Sequence, residues 1–165
     1  MRIRPAQPGD AARLVELARE VGAEEEGWLI TGGEWRSPGE ERRYLRWIRH
    51  HDAAAVFVAE TDGTIVGRLS IARDNHPASE HVADLGLMVG REFRRQGAGR
   101  ALMEEAERWA HRVGVRKLEL HVFPHNEAAI ALYKGLGYEQ EGFRRGHYRR
   151  QDDFVDAILM AKELV

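Results

Sequence analysis

Residues 84–100 read DLGLMVGREFRRQGAGR. The apolar part, which ends at Val89, completes a predicted strand over 82–89. Gly97 and Gly99 follow a short polar loop and open a predicted helix, where a backbone without side chains could approach an anion. A helix N-terminus presents unpaired N–H donors and a partial positive charge, so it can hold a phosphate group. The stretch therefore predicts a strand, a phosphate-binding loop and a helix in succession.

The same loop is rich in arginine. Arg94, Arg95 and Arg100 add fixed positive charge with forked donors suited to phosphate. An alternative interpretation is a glycine-rich turn beside solvated arginines. Two other phosphate motifs are absent, because the sequence contains no GxGxxG and no lysine followed by serine or threonine.

Hydrophobic periodicity and turn residues predict the elements on either side of this stretch. Helices are predicted after Asp10, from Ser37-Pro38, along a stripe that ends at Gly114, and after Asn126. The predicted strands are 2–5, 56–61, 64–73, 82–89, 115–123, 138–148 and 154–162. A strand–helix–strand unit that follows an antiparallel meander predicts an α/β (α+β) fold. We expect one domain over 1–165, with a mixed sheet and helices on both faces, and neither a Rossmann sheet nor a barrel.

Several local signals are specific enough to be checked. Asp10 is a predicted N-cap, and Asp62-Gly63 is a predicted hairpin turn. In the second helix, Tyr44, Leu45, Trp47 and Ile48 are predicted to form the apolar side.

Composition excludes several classes of protein. The chain has no cysteine, so disulfides and cysteine nucleophiles are excluded, and its eight histidines lack the spacing of a zinc site. We therefore expect no metal. A net charge of −2 argues against a nucleic-acid partner. No apolar run approaches the roughly 18 to 20 residues of a membrane span, and we expect a cytoplasmic protein with no membrane contact.

Two sequence blocks resemble the GNAT superfamily of N-acetyltransferases. Residues 94–99, RRQGAG, match the family's (Gln/Arg)-x-x-Gly-x-(Gly/Ala) signature and follow its strand end at 87–89. The second block, 120–138, reads LHVFPHNEAAIALYKGLGY and lies at the expected distance. The opening residues 3–6 and 9–11 are also typical, so the resemblance covers essentially the whole chain.

This resemblance implies a GNAT-like sheet with a splayed parallel pair, and acetyl-coenzyme A (acetyl-CoA) as co-substrate. Tyr133 would lie beside the coenzyme sulfur and give a proton to the leaving thiolate, although a core-facing aromatic is the alternative. Backbone N–H groups would hold the pyrophosphate, and the two residues at the strand end would pair with the pantetheine arm. The implied coenzyme-binding residues are Met88, Val89, Arg94, Arg95, Gln96, Gly97, Ala98, Gly99, Arg100 and Asn126.

An amine acceptor must lose a proton before it attacks a thioester, since an alkylammonium has a pKa of roughly 10. Asp84 lies five residues before Val89, where relatives similar to phosphinothricin acetyltransferases carry an acid, so Asp84 is a candidate general base. It could equally accept hydrogen bonds from a nearby loop. His121 is a second candidate by its ordinary pKa, although a structural role is preferred for it.

In this superfamily the acceptor pocket draws on the loop between the first two helices and on the last hairpin, here 24–35 and 142–153. The acidic run 24–26 could attract a cation, but a solvated face is preferred for it. Trp28 and Trp35 are assigned to the core rather than to a pocket. The arginines of 144–150 could favour an acidic acceptor.

The resemblance implies transfer of an acetyl group to a primary amine of a small molecule, by direct attack in a ternary complex. A protein or peptide N-acetyltransferase and a non-catalytic acyl-CoA sensor are the alternatives. Since dimers are common among relatives, a possible homodimer is also implied.

Overall fold

The computed structural model describes residues 1–30 and 35–165. The strands in this part of the chain are β1 (Arg2–Pro5), β2 (Ala54–Thr61), β3 (Thr64–Arg73), β4 (Val82–Val89), β5 (Lys117–Val122), β6 (Glu139–Arg150) and β7 (Asp153–Glu163). The helices are α1 (Ala11–Gly22), α2 (Pro38–Ile48), α3 (Ala98–Val113) and α4 (Glu127–Gly135). The element order predicted from the sequence is therefore confirmed.

One sheet joins all these strands, in the order β1-β2-β3-β4-β5-β7-β6. Neighbouring strands are antiparallel except for β4 and β5, which run parallel. The parallel pairing extends only from Val82 opposite Lys117 to Asp84 opposite Glu119. Beyond these positions β4 and β5 diverge, so each leaves one edge of its backbone unpaired. The mixed sheet with a splayed parallel pair is confirmed.

Helices cover both faces of the sheet, as expected. Leu17 of α1 and Leu45 of α2 belong to one buried cluster, together with Val58 of β2. Leu102 of α3 lies in a second cluster on the opposite face, with Leu118 of β5. The two apolar layers fix the sheet between the helices, and burial of each such side chain stabilises the fold by about 1.5–3 kcal/mol. Among the described residues, no helix combines the length and apolar character needed to cross a bilayer.

The local signals are confirmed at several element ends. Asp62 and Gly63 both have positive φ, at 49° and 77°, in the turn between β2 and β3. Gly114 ends α3 in the left-handed conformation, with φ of 81°. At the start of α2, Ser37 and Glu40 accept hydrogen bonds from each other's backbone N–H, which forms a capping box.

One local prediction is confirmed in position only, and another is wrong. Asp10 occupies the predicted N-cap position of α1, but its carboxylate makes no capping bond to that helix and accepts hydrogen bonds from the Gln7 N–H and from Arg4 instead. Trp47 was predicted on the apolar side of α2, yet it is 48% exposed and stacks on His51. The helix turns about 100° per residue, so a side chain two positions after the buried Leu45 points away from the sheet.

Candidate active site

A cavity of about 450 Å³ opens where β4 and β5 diverge. It passes through the middle of the sheet at this gap, because residues from both faces line it. Leu85, Leu87, Val122, Asn126 and Tyr133 line the side towards α4. The side towards α1 and α2 is lined by Trp28, Leu29, Ile30, Trp35, Arg68, Ser70, Asp84, Glu119, His121, Arg144 and Tyr148. The gap in the parallel pair thus brings together residues from distant parts of the chain.

Asp84 projects into this cavity from β4. Its side chain is reached by water through the cavity mouth, but protein atoms surround it on most other sides. Burial raises the pKa of its carboxyl group to about 6, and the negative charge of Glu119 on the neighbouring strand adds to the rise. Such a carboxyl group is largely ionised at neutral pH, yet it binds a proton more readily than an ordinary aspartate. The position and acidity suit the general base predicted there.

His121 lies on the same wall, two residues after Glu119 on β5. One of its ring nitrogens is hydrogen-bonded to the Tyr148 hydroxyl, which reaches over from β6. Burial lowers the pKa of His121, and the Arg144 and His147 charges lower it further. Burial raises the pKa of Tyr148, and the Asp84 charge contributes. His121 and Tyr148 therefore form a neutral hydrogen-bonded pair close to Asp84.

Tyr133 reaches the cavity from α4 on the opposite side of the gap. Its side chain is 6% exposed and its ring packs near Tyr138, with ring centroids 6.0 Å apart. Burial raises the pKa of the Tyr133 hydroxyl, so the group stays protonated at every physiological pH. Tyr133 is thus both a core residue and a cavity residue.

The unpaired edge of β4 presents backbone groups to the cavity. In the antiparallel ladder between β3 and β4, hydrogen-bonded residue pairs alternate with pairs that are not hydrogen-bonded. The Gly90 N–H donates to the Val66 carbonyl, so this pair is hydrogen-bonded, and so is the pair two positions away, Arg68–Met88. The alternate residues, Leu87 and Val89, direct their N–H and C=O groups towards the gap. This alternation favours Leu87 and Val89 over Met88 for backbone contacts in the cavity, and leaves Met88 to contribute its side chain.

The predicted phosphate loop has backbone geometry that suits an anion. Gly97 is the N-cap of α3 with φ of 89°, and open space surrounds the place where a Cβ would lie. Arg95 also has positive φ, at 63°. Left-handed residues in such a loop turn successive N–H groups towards one side, which makes a concave anion site. The loop therefore fits a pyrophosphate at the start of α3.

Position 99 requires a glycine for helix packing, whereas the sequence predicted that it leaves room for an anion. A Cβ at Gly99 would lie 3.1 Å from the Leu132 side chain of α4 and 3.5 Å from that of Leu87. The absence of a side chain allows α3 and α4 to pack together. The N–H groups of Ala98 and Gly99 still belong to the first turn of α3, where no helical acceptor exists for them.

The charged side chains of this loop differ in their partners. The Arg94 guanidinium donates two hydrogen bonds to the Glu24 carboxylate, at 2.8 and 2.6 Å. Arg95 and Arg100 are exposed, and the Gln96 side-chain amide donates to the Glu92 carbonyl at 2.9 Å. Arg95 and Arg100 are accordingly the arginines most available to an anionic ligand.

The loop after α1 is attached to three neighbours. Glu24 was predicted to lie on a solvated face, but its side chain is only 8% exposed and also accepts a hydrogen bond from Trp28 Nε1. His125 is hydrogen-bonded to the Glu26 carbonyl, and Arg150 of β6 donates to the carbonyls of Gly27 and Leu29. These bonds hold the loop over the cavity.

The predicted acceptor segments supply cavity walls. Trp28 and Trp35, which were assigned to the core, both line the cavity, and Trp35 also packs against the buried cluster of α1 and α2. From the last hairpin, Arg144 and Tyr148 reach the same space. Residues 31–34 of the predicted acceptor loop lie outside the described residues. Asn126 caps α4 by accepting a hydrogen bond from the Ala129 N–H at 3.2 Å and also lines the cavity.

Sequence reasoning missed a buried ion pair beside the cavity. Arg68 of β3 donates to Glu41 of α2 at 3.0 Å, and both side chains are almost fully buried. The signal was present in the sequence, since Arg68 stands between the apolar residues Val66 and Leu69 in the middle of β3. Its partner is 27 positions away in a different element, so local patterns could not identify the pair.

Comparison with known proteins gives consistent results. Residues 22–138 match the model of the acetyltransferase (GNAT) family. The chain is 39% identical over 110 residues to the Escherichia coli L-amino acid N-acetyltransferase AaaT, covering 64% of this chain and 66% of that protein. It is 43% identical over 75 residues to the E. coli ribosomal protein bS18-alanine N-acetyltransferase, covering 46% of this chain and 51% of the relative. The chain thus spans between about half and two thirds of the length of these curated relatives.

The solved structures extend the match to the whole fold. The crystal structure of a GNAT-family acetyltransferase from Streptococcus pneumoniae superposes with a TM-score of 0.90 at 32% identity, and the match covers 99% of both chains. The family model covers more than half of the sequence and includes both Asp84 and Tyr133. The chain therefore belongs to the acetyltransferase (GNAT) family.

Proposed function

We propose that this protein is an enzyme that transfers the acetyl group of acetyl-CoA to a primary amine of a small molecule, by direct attack while both substrates are bound. One observation carries the proposal: the cavity at the divergence of β4 and β5 is lined by Asp84 on one side and Tyr133 on the other. A base and an acid on opposite sides of one cavity suit a reaction in which an amine loses a proton and a leaving group gains one.

The residues that would hold acetyl-CoA lie next to this cavity, because Leu87 lines it and also packs beside Gly99 at the start of α3. The N–H groups from Arg95 to Arg100, at the start of α3, suit the pyrophosphate. The outward-facing backbone groups of Leu87 suit the amides of the pantetheine arm, since the Val89 carbonyl already accepts a hydrogen bond from Arg94, and Asn126 also lines the wall. When bound, acetyl-CoA supplies the activated acyl group and a leaving thiol.

The roles of the side chains follow from their surroundings. Asp84, with Glu119 beside it, attracts a cationic amine and accepts its proton, directly or through a water molecule. The Val89 N–H faces the gap and would stabilise the oxygen that gains negative charge during attack. The Tyr133 hydroxyl remains protonated and donates its hydrogen to the departing sulfur. Each role uses a group that already faces the cavity.

Acetylation of a peptide terminus is the second candidate, and it is supported by the name of the relative that acetylates a ribosomal-protein alanine. The two functions are separated by measuring thiol release from acetyl-CoA with a panel of free amines and a panel of peptides with free N-termini. We expect release that depends on the free amines and exceeds that with peptides. Faster release with peptides would favour the second candidate, and no dependence on either panel would leave a coenzyme-binding sensor.

A further inference from the structure

Arg68 is a buried cation in the wall of the cavity. It belongs to β3 and is 3% exposed, yet it lines the space between β4 and the loop after α1. Its side chain lies on the same face of the sheet as Asp84, because Arg68 is opposite Met88 in the β3–β4 register and Asp84 is four residues before Met88. The proposed base and this cation therefore share one cavity.

The hydrogen bonds of this guanidinium are incomplete. It has five N–H donors, and among the described residues only the Glu41 carboxylate accepts one of them, at 3.0 Å from Nη2. The Nε atom is buried without a hydrogen-bond partner. A buried donor without a partner lowers stability by about 1–3 kcal/mol, and more when the group is charged. Arg68 is thus a group for which a ligand could supply missing acceptors.

The charge around Arg68 is also unbalanced. Arg36 donates to the other oxygen of Glu41 at 2.9 Å, so two guanidinium groups share one carboxylate. Arg36 is 41% exposed and is stabilised by water, whereas Arg68 is shielded from solvent. The indole ring of Trp35 lies 5.0 Å from the Arg68 guanidinium and stabilises it as a cation without accepting a hydrogen bond.

The other end of the cavity has the opposite charge. Asp84 and Glu119 are neighbours on the two parallel strands, and both line the cavity. Four positions of β4 separate Asp84 from Met88, the residue opposite Arg68, or about 13 Å of backbone, and the Asp84 and Arg68 side chains line the same cavity. The cavity thus offers carboxylates for an ammonium group and a guanidinium for an anion.

We propose that the acceptor carries a carboxylate as well as its amine, as a free amino acid does, and that Arg68 binds this carboxylate. A planar carboxylate can accept two parallel hydrogen bonds from a guanidinium, which would complete donors that the protein leaves unpaired. A peptide N-terminus has an amide where a free amino acid has its carboxylate. The assignment rests on the proposed acetyl transfer and adds the chemical class of the acceptor to it.

Arg144 is the other guanidinium that lines the cavity, and it is exposed. Water already hydrates an exposed arginine, so its attraction for a carboxylate is weakened by the high local dielectric and by salt. Replacement of Arg144 therefore provides a matched control with the same loss of charge. Arg36→Gln is a second control, because it removes a partner of Glu41 and Arg36 is not among the residues that line the cavity.

The test compares acetylation of an amino acid with that of its carboxamide, which has the same amine and side chain but no negative charge. In the unaltered enzyme we expect kcat/KM for the acid to exceed that for the amide. Arg68→Gln should lower kcat/KM for the acid by about 10- to 100-fold and for the amide by less than about threefold. Arg144→Gln and Arg36→Gln should keep the preference for the acid, and Arg68→Lys should restore part of it because it restores the charge but not the paired donors.

A binding measurement protects the test from loss of folding in the variant. Calorimetry on the unaltered protein with an N-acetylated amino acid should show binding, and its carboxamide should bind at least tenfold more weakly. Equal use of acid and amide by the unaltered enzyme, or an equal loss for both in Arg68→Gln, would overturn the assignment. Loss of the preference in Arg144→Gln alone would move the carboxylate site to Arg144. Failure of the proposed acetyl transfer is a distinct outcome, because neither the amino acid nor its carboxamide would then release thiol from acetyl-CoA.

Discussion

Glu24 accepts two hydrogen bonds from Arg94, which follows it by 70 positions in the chain. Arg94 Nε also donates to the Val89 carbonyl at 3.0 Å. One guanidinium therefore joins three segments: the loop that covers the cavity, the end of β4, and the loop that begins α3. The Glu24 carboxylate is almost fully shielded from water, whereas the Arg94 side chain is half-buried.

Replacement of Glu24 by glutamine should lower the free energy of unfolding by about 1–3 kcal/mol, because it leaves the Arg94 charge without its carboxylate partner. Urea denaturation measures this loss. Glu20→Gln is the matched control: Glu20 also accepts two bonds from an arginine, Arg13, but it is 51% exposed. That substitution should change stability by no more than about 0.5 kcal/mol. Equal losses in the two variants would contradict a special role for the Glu24–Arg94 pair.

Valine at Gly97 should weaken acetyl-CoA binding by at least about tenfold, because its side chain would occupy the open space at the start of α3. Calorimetry gives the affinity. Gly63→Val is the control, since Gly63 also has positive φ and open space around it but lies in the β2–β3 turn. Both variants should be destabilised by backbone strain, and only Gly97→Val should bind the coenzyme more weakly. Unchanged affinity in a folded Gly97→Val protein would remove this loop from the coenzyme site.

Phenylalanine at Tyr133 should lower the single-turnover rate of acetyl transfer by about 10²-fold, because it removes the proton that assists departure of the thiol. Coenzyme affinity and melting temperature should change little. Tyr138→Phe is the control: Tyr138 packs near Tyr133, is not among the cavity-lining residues, and its buried hydroxyl has no hydrogen-bond partner. Its loss should leave the rate unchanged and stability equal or higher. Full single-turnover activity in Tyr133→Phe would leave that residue a packing role only.

The pH dependence of kcat/KM should reflect the protonation of Asp84. Burial raises the pKa of this carboxyl group to about 6, so kcat/KM should fall as the pH decreases through that value. Asp84→Asn should abolish this limb and lower kcat/KM by about 10²-fold. Stability should depend on pH in the opposite direction from activity. An acid whose pKa is raised in the folded state binds its proton more tightly there, so the stabilisation from protonated Asp84 is lost as the pH rises from about 4 to 6.

Glu119 provides an independent check that Asp84 causes the fall of kcat/KM at acidic pH. Its negative charge contributes to the raised pKa of Asp84, so Glu119→Gln should move the acidic limb of kcat/KM to lower pH. Glu163→Gln, an exposed carboxylate at the end of β7, should not move it. A limb that stays in place in Glu119→Gln would mean that another group controls the acidic side of the profile.

Much of the fold was predictable because its determinants are local. The hydrophobic alternation and the turn residues at Asp62-Gly63 and Gly114 act within a few positions, and the structure has the predicted element at each place. Boundaries were less accurate, since β5 begins at Lys117 instead of 115. Val115 before it is apolar and buried, but the parallel partner strand begins only at Val82. The start of β5 is therefore set by its pairing with β4 and not by the strand propensity of its residues.

The candidate site was predictable in part. Asp84, Tyr133 and the glycines before α3 lie in motifs whose spacing is visible in one segment of sequence. The roles of Gly99, Glu24 and Arg68 were not, because each depends on a neighbour from another element: Leu132, Arg94 and Glu41. Glu24 was predicted to be solvated, because sequence alone does not reveal the distant partner that makes burial of its carboxylate favourable.

The sequence by itself determined the order of strands and helices, the glycine-rich loop before α3 and the family, because periodicity and short motifs encode them locally. Only the tertiary structure decided where β4 and β5 separate, which backbone groups of β4 face the gap, and which charges meet in the cavity. These features depend on strand register and on side-chain pairs such as Arg68–Glu41, which form when helices pack on the sheet. In a buried space the pairing of charges depends on such three-dimensional proximity, which composition and spacing do not specify.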